Sequence, residues 1–173
     1  MFVVIEDNTI VASRLMKIIF LDFDGVMATD YYSLIMEKNS LPERDEFGVF
    51  FDPQCVECLS QIIEQTSADI VVTSSWQDLM SYQDITRMWL SRKLPGYVTD
   101  LIPLVNKRRG DNIDAWIKEC GPLESYLILD DLPIYEFNDH HLNHMIKVDS
   151  YRGLQDTMIE MAVAILTTPF RVC

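Results

Sequence analysis

Three short runs are apolar at every position: IIFL at 18–21, IVV at 70–72 and YLIL at 126–129. A strand with one solvent face alternates apolar and polar residues, so a strand without alternation is buried on both faces. Between the runs lie segments with apolar residues at helical spacing. The pattern predicts strands over 17–24, 68–75, 125–131 and 144–149, and helices over 53–66, 78–92, 110–120 and 153–166. Strands alternating with helices make an α/β fold, a parallel sheet covered by helices on both faces. Residues 29–51 contain Pro42 and Gly48 and read as a loop with room for one short helix. Residues 94–108 read as a loop with a short strand near Tyr97–Val98. A chain of 173 residues suits one domain. That domain spans 16–173, preceded by residues 1–15 as an N-terminal extension or a hairpin turning at Asp7-Asn8.

Composition narrows the partners. The net charge is −13 and the isoelectric point about 4.4, so nucleic acid and anionic membrane are repelled at long range. Lys107-Arg108-Arg109 is the one basic triplet, and a nucleic-acid role would need a basic patch there. No run reaches the ~18 apolar residues of a membrane helix, and the N-terminus lacks the basic flank of a secretion signal. The cytoplasm is the expected compartment. Cys55-x-x-Cys58 resembles half of a zinc or redox motif, but Asp52 and Pro53 mark a helix start. Both thiols then fall on the apolar face with Leu59, Ile62 and Ile63, which predicts packing.

The strands end in chemistry. The first closes on Asp22-Phe23-Asp24-Gly25, the second on Thr73-Ser74-Ser75 and the third on Asp130-Asp131. Ligands of open parallel sheets bind beyond these carboxyl ends. Like charges ~4 Å apart repel by about 1 kcal/mol in water and about 4 kcal/mol at an effective dielectric of 20. A hard divalent cation balances such a cluster, and Mg2+ takes carboxylates, waters and phosphate oxygens. Asp22 and Asp24, two apart on an extended segment, face one side. Gly25 permits a close turn whose N–H groups could meet an anion. A carboxylate can attack phosphorus, an acid must then protonate the leaving oxygen, and hydroxyls and a fixed cation hold the phosphate. Asp24, Thr73 with Ser74, and one member of Lys107-Arg108-Arg109 suit those tasks. Arg109 sits just before the helix predicted at 110.

In these motifs the chain resembles the haloacid dehalogenase (HAD) superfamily of phosphohydrolases. The resemblance covers about residues 17–166. Its DxDx(T/V) motif matches Asp22-Phe23-Asp24-Gly25-Val26, its strand-closing Thr matches Thr73, its basic residue matches Arg109 and its acidic pair matches Asp130-Asp131. The resemblance implies a Rossmann-like three-layer sandwich and a Mg2+-dependent phosphomonoesterase. It implies Asp22 as nucleophile and Asp24 as general acid/base. It makes Thr73, Ser74, Gly25 and Arg109 the phosphate-binding residues. The metal set it implies is the Asp22 carboxylate, the Asp24 carbonyl and Asp130, with Asp131 in support. Neither gap between motifs is long enough for a cap domain. A capless, open site suits a phosphorylated macromolecule, such as a nucleic-acid end or a protein, or closure by a second subunit. A narrower similarity, through Thr73-Ser74-Ser75-Trp76, Arg109-Gly110-x-x-Ile113 with Trp116, Ile128-Leu129-Asp130-Asp131 and Gly153-Leu154, is to the HAD domains of Swiss Army knife RNA-repair proteins. Those often carry Arg where this chain has Gln77.

The expectation is therefore a phosphomonoesterase, with a polynucleotide-end phosphatase and a non-catalytic phosphate-binding module as alternatives. A receiver domain also gathers acids and a Lys at a parallel sheet, but its phosphoacceptor strand would end in Asp, and here that strand ends in Thr-Ser-Ser. His140-His141-x-x-His144 reads as a solvated turn rather than a metal site. Trp89 and Trp116 read as core, and Trp76 as a substrate contact.

Overall fold

The structure, a computed structural model, describes residues 15–169. The N-terminal hairpin or extension and Cys173 lie outside the described residues. In chain order the elements are β1 (Lys17–Leu21), α1 (Asp30–Lys38), β2 (Arg44–Asp45), β3 (Gly48–Val49), α2 (Pro53–Thr66), β4 (Asp69–Val72), α3 (Tyr82–Ser91), β5 (Val98–Leu101), α4 (Arg109–Cys120), β6 (Ser125–Asp130), β7 (Met145–Lys147) and α5 (Ile159–Thr167). Five of the strands form one sheet in the order β5-β4-β1-β6-β7, and every pairing in it is parallel.

The apolar runs are buried on both faces. Ile19, Leu21, Ile70, Val72, Leu127 and Leu129 pack with α2, α3 and α5. Ile18, Phe20, Val71, Tyr126 and Ile128 pack on the opposite face with Ile113 and Trp116 of α4. Alternate residues of β1 thus feed separate cores, as the twofold side-chain period requires. This is the three-layer, Rossmann-like sandwich expected.

Helix starts follow local chemistry. The Asp52 side chain accepts from the Gln54 N–H at 2.9 Å and caps α2 ahead of Pro53. Cys55 and Cys58 lie buried on its inner face, and burial lifts the Cys55 thiol to about 12, so both thiols are packing groups.

The boundaries depart from expectation where caps intervene. The helix predicted over 78–92 starts at Tyr82 instead, where Ser81 and Asp84 cap one another reciprocally, and a separate 3₁₀ turn (Ser75–Asp78) precedes it. The closing helix begins at Ile159 rather than 153. Its expected first turn is spent against the β1 loop, where the Leu154 N–H donates to the Val26 carbonyl at 3.0 Å. The 29–51 loop holds a full helix, α1, capped by Thr29, and the short hairpin β2–β3. These small elements are all that lies between β1 and α2.

Candidate active site

β1 is the central strand and the topological switch point, with β4 on one side and β6 on the other. Leu21 pairs with Val72 and with Leu129. One residue further on, the Asp22 N–H donates to the Leu129 carbonyl at 3.0 Å and the Thr73 N–H to the Leu21 carbonyl at 2.9 Å. Parallel register therefore sets Asp22, Thr73 and Asp130 side by side at the sheet edge. Beyond Asp24 the chain turns tightly through 25–28, with Gly25 at φ +70°. The Gly25 N–H expected to meet an anion instead donates to the Ala28 carbonyl at 2.8 Å. What Gly25 contributes is closeness: a β-carbon there would collide with the Asp131 carboxylate.

Asp22, Asp130 and Asp131 can each offer an oxygen lying within 4.8 Å of the others. Asp22 and Asp130 are buried. Burial raises the pKa of Asp22 against the opposing pull of Arg109. Burial also pushes Asp130 up to about 7, with Asp22 and Asp131 adding to the rise and Arg109 opposing it. Three acids held this close, where burial opposes their ionisation, could supply oxygen ligands to a hard cation. The residues thus fit Mg2+.

Arg109 is the cation of the basic triplet that reaches the cluster. Its Nη1 donates to Asp130 Oδ2 at 2.7 Å and lies 3.4 Å from Asp22 Oδ2. It is the first residue of α4, one place earlier than expected. Arg108 turns the other way and donates to the carbonyls of Tyr135 at 2.8 Å and Phe137 at 2.6 Å. Lys147, absent from the sequence reading, donates to the Asp131 carbonyl at 3.1 Å.

The hydroxyls differ in their partners. Ser74 is buried, its hydroxyl caps the 3₁₀ turn by accepting from the Trp76 N–H, and its proximity to Asp22 favours the ionised carboxylate there. Thr73 Oγ1 is buried and has no hydrogen-bond partner among the described residues. Such an atom is costly unless something else fills the site. Both polar atoms of the Gln77 amide are likewise buried and unpartnered.

The Asp24 side chain stands apart from the three-acid group. Its Oδ1 accepts from Trp76 Nε1 at 2.9 Å, and its Oδ2 lies 3.4 Å from Ser75 Oγ. Trp76, read as a substrate contact, thus touches a predicted catalytic residue. Trp89 and Trp116 are core, as expected.

The histidine segment is a 3₁₀ turn (Asp139–His144) solvated only in part: Asp139, His140, Leu142 and Asn143 are exposed, as expected, but His141 is not. His141 is fully buried, and Asp114 of α4 accepts from its Nε2 at 2.9 Å and from His140 Nε2 at 2.8 Å. Asp114 lies 27 residues from His141, so nothing local announces the contact. His141 Nδ1 accepts the Asn138 N–H at 3.2 Å, which leaves the proton on Nε2, pointing at Asp114. A neutral ring in that tautomer has no lone pair to give a metal there, and burial keeps His141 neutral. The cluster ties the 138–141 turn to α4.

No helix among the described residues is long and apolar enough to cross a membrane. No curated protein and no solved structure gave a match to the chain. Residues 18–159 match the model of the HAD domain in Swiss Army Knife RNA repair proteins, a match covering all four strand-end and helix-start motifs, and the chain belongs to that family of the HAD hydrolase superfamily.

Proposed function

We propose that the protein is a Mg2+-dependent phosphomonoester hydrolase working through an aspartyl-phosphate on Asp22. The observation that carries this reading is the gathering of Asp22, Asp130 and Asp131 within 4.8 Å beside the unpartnered Thr73 hydroxyl. Asp22, Asp130 and Asp131, with the Asp24 carbonyl, would hold Mg2+, which when bound supplies charge neutralisation for the acids and the phosphate oxygens.

An Asp22 oxygen forms a bond to phosphorus while the bond to the leaving oxygen breaks. The leaving oxygen keeps that electron pair and takes a proton from the Asp24 carboxyl. Asp24, now a carboxylate, takes a proton from water as the water oxygen bonds to phosphorus. The Asp22–phosphorus bond breaks, returning the Asp22 carboxylate and releasing phosphate. Thr73 and Ser74 hold phosphate oxygens, and Arg109 exchanges its acid partners for the incoming phosphate.

A polynucleotide-end phosphatase is the second reading, and the family description favours it. The basic triplet gives it limited support: Arg108 is engaged by backbone carbonyls and Arg109 faces the site acids, which leaves Lys107 as the exposed cation for a polyanion. The experiment measures phosphate release from a panel of phosphomonoesters that includes a 3′-phosphorylated oligonucleotide, with and without Mg2+, beside Asp22→Asn. Mg2+-dependent release lost in Asp22→Asn supports the hydrolase and ranks its substrates. No release from any ester, with Mg2+ still binding, favours a phosphate-binding module.

A further inference from the structure

Asp24 is held by its surroundings in an unusually defined way. Indole Nε1–H only donates hydrogen bonds. Asp24 Oδ1, 2.9 Å from Trp76 Nε1, is therefore the acceptor whether the carboxyl is ionised or protonated. A proton carried by Asp24 then sits on Oδ2, the oxygen with only the longer 3.4 Å contact to Ser75. The indole bond thus occupies Oδ1 and leaves Oδ2 as the oxygen that can meet a leaving group.

The indole is itself fixed from several directions. Phe23, the residue between the two motif aspartates, meets it edge-on with centroids 5.4 Å apart, and Phe51 lies 5.7 Å away. Gly48, at the β2–β3 hairpin, lies so close that a β-carbon there would stand 3.2 Å from Cη2 of the ring. The hairpin is pinned in turn by Arg92, which donates to the Gly48 carbonyl at 3.0 Å and to both Asp45 oxygens at 2.6 and 2.9 Å. The chain of contacts runs from Arg92, which caps the C-terminus of α3, through the hairpin and the indole to the Asp24 carboxyl.

We infer that Trp76 is a positioning residue for Asp24, holding its carboxyl away from the metal-binding acids with Oδ2 presented to the leaving oxygen. The inference rests on the hydrolase reading, since it assigns a task to the general acid. A positioned acid matters most when the leaving oxygen is strongly basic and little when it departs readily without a proton. Loss of the indole donor therefore has a signature that general loosening of the fold lacks.

The test is Trp76→Phe, which keeps an aromatic ring against Phe23 and removes the donor, with an unchanged far-UV circular dichroism spectrum and a cooperative thermal melt as the folding check. Turnover of an alkyl phosphate is expected to fall about tenfold, and turnover of an aryl phosphate with an acidic phenol less than about threefold. A second measurement is independent of activity. The indole N–H resonance of Trp76, assigned by its disappearance in Trp76→Phe, is expected to move upfield and lose exchange protection in Asp24→Ala. Equal losses on both esters, no loss on either, or an indole resonance unmoved by Asp24→Ala overturns the positioning role while the hydrolase stands. Wild-type protein that releases phosphate from neither ester overturns the hydrolase reading, and the positioning role with it.

Discussion

Arg109 Nη1 donates to Asp130 Oδ2 across 2.7 Å, from the first turn of α4 to the last residue of β6. Asp130 is completely buried, and this guanidinium opposes the rise that burial imposes on its pKa. Arg109→Ala leaves Asp22 and Asp130 facing one another without a counter-charge. The expected cost is roughly 3 kcal/mol at neutral pH without metal, and less with saturating Mg2+. Denaturant melts of both proteins, with chelator and with Mg2+, check the sign of that difference. Equal costs under the two conditions would show that Arg109 and the metal do not share the acids.

Thr73 Oγ1 gains nothing from the folded chain, being buried without a partner. Thr73→Val preserves shape and removes an unsatisfied group. Stability is expected to stay within about 0.5 kcal/mol, while phosphate release falls on the order of tenfold to a hundredfold through loss of one oxyanion donor. Parallel thermal melts and steady-state kinetics separate the two effects.

Gly25 works by proximity to Asp131. In Gly25→Ala a β-carbon would meet the Asp131 carboxylate at a φ of +70°, a conformation L side chains rarely adopt. A stability loss of about 1–2 kcal/mol is expected, together with weakened Mg2+ binding because Asp131 must move. Calorimetric titration of Mg2+ into the variant measures the second effect directly.

The Arg92–Asp45 pair carries a pH dependence with a definite sign. The hydrogen bond from Arg92 holds the Asp45 carboxyl below its ordinary value, against a smaller opposing contribution from burial. A depressed folded-state pKa contributes stability that is present above the unfolded value of about 3.8 and lost as pH falls through the folded value. Asp45→Asn is expected to cost about 1 kcal/mol at pH ~7, and the variant and wild type should converge as pH falls through the depressed folded value. Arg92→Ala should cost more, about 2–3 kcal/mol, since it also forfeits bonds to the Gly48 and Val49 carbonyls and contact with the Phe50 and Phe51 rings. Urea denaturation across the acid range checks both.

Local signals account for much of the architecture. Ile18–Leu21 had to be a doubly buried strand because no position in it tolerates water, and Asp52-Pro53 had to open a helix through its own cap. The 3₁₀ turn at Ser75–Asp78 escaped the periodicity reading because the Ser81–Asp84 capping box competes with a continuous helix. The start of α5 was misplaced for a different reason, since residues 149–154 are claimed by the loop after β1.

The sequence by itself determined a parallel sheet and the strand ends on which Asp22, Thr73 and Asp130 stand, because side-chain periodicity and strand termination are properties of neighbouring residues. Only the tertiary structure decided which member of Lys107-Arg108-Arg109 meets the acids, since Arg108 and Arg109 differ only in the direction each leaves the start of α4. It also decided that Trp76 holds Asp24 from 52 residues away, that Arg92 reaches Asp45 across 47 and that His141 is buried against Asp114. Each of these contacts pairs side chains on separate elements, and chain spacing carries no record of which elements will pack together.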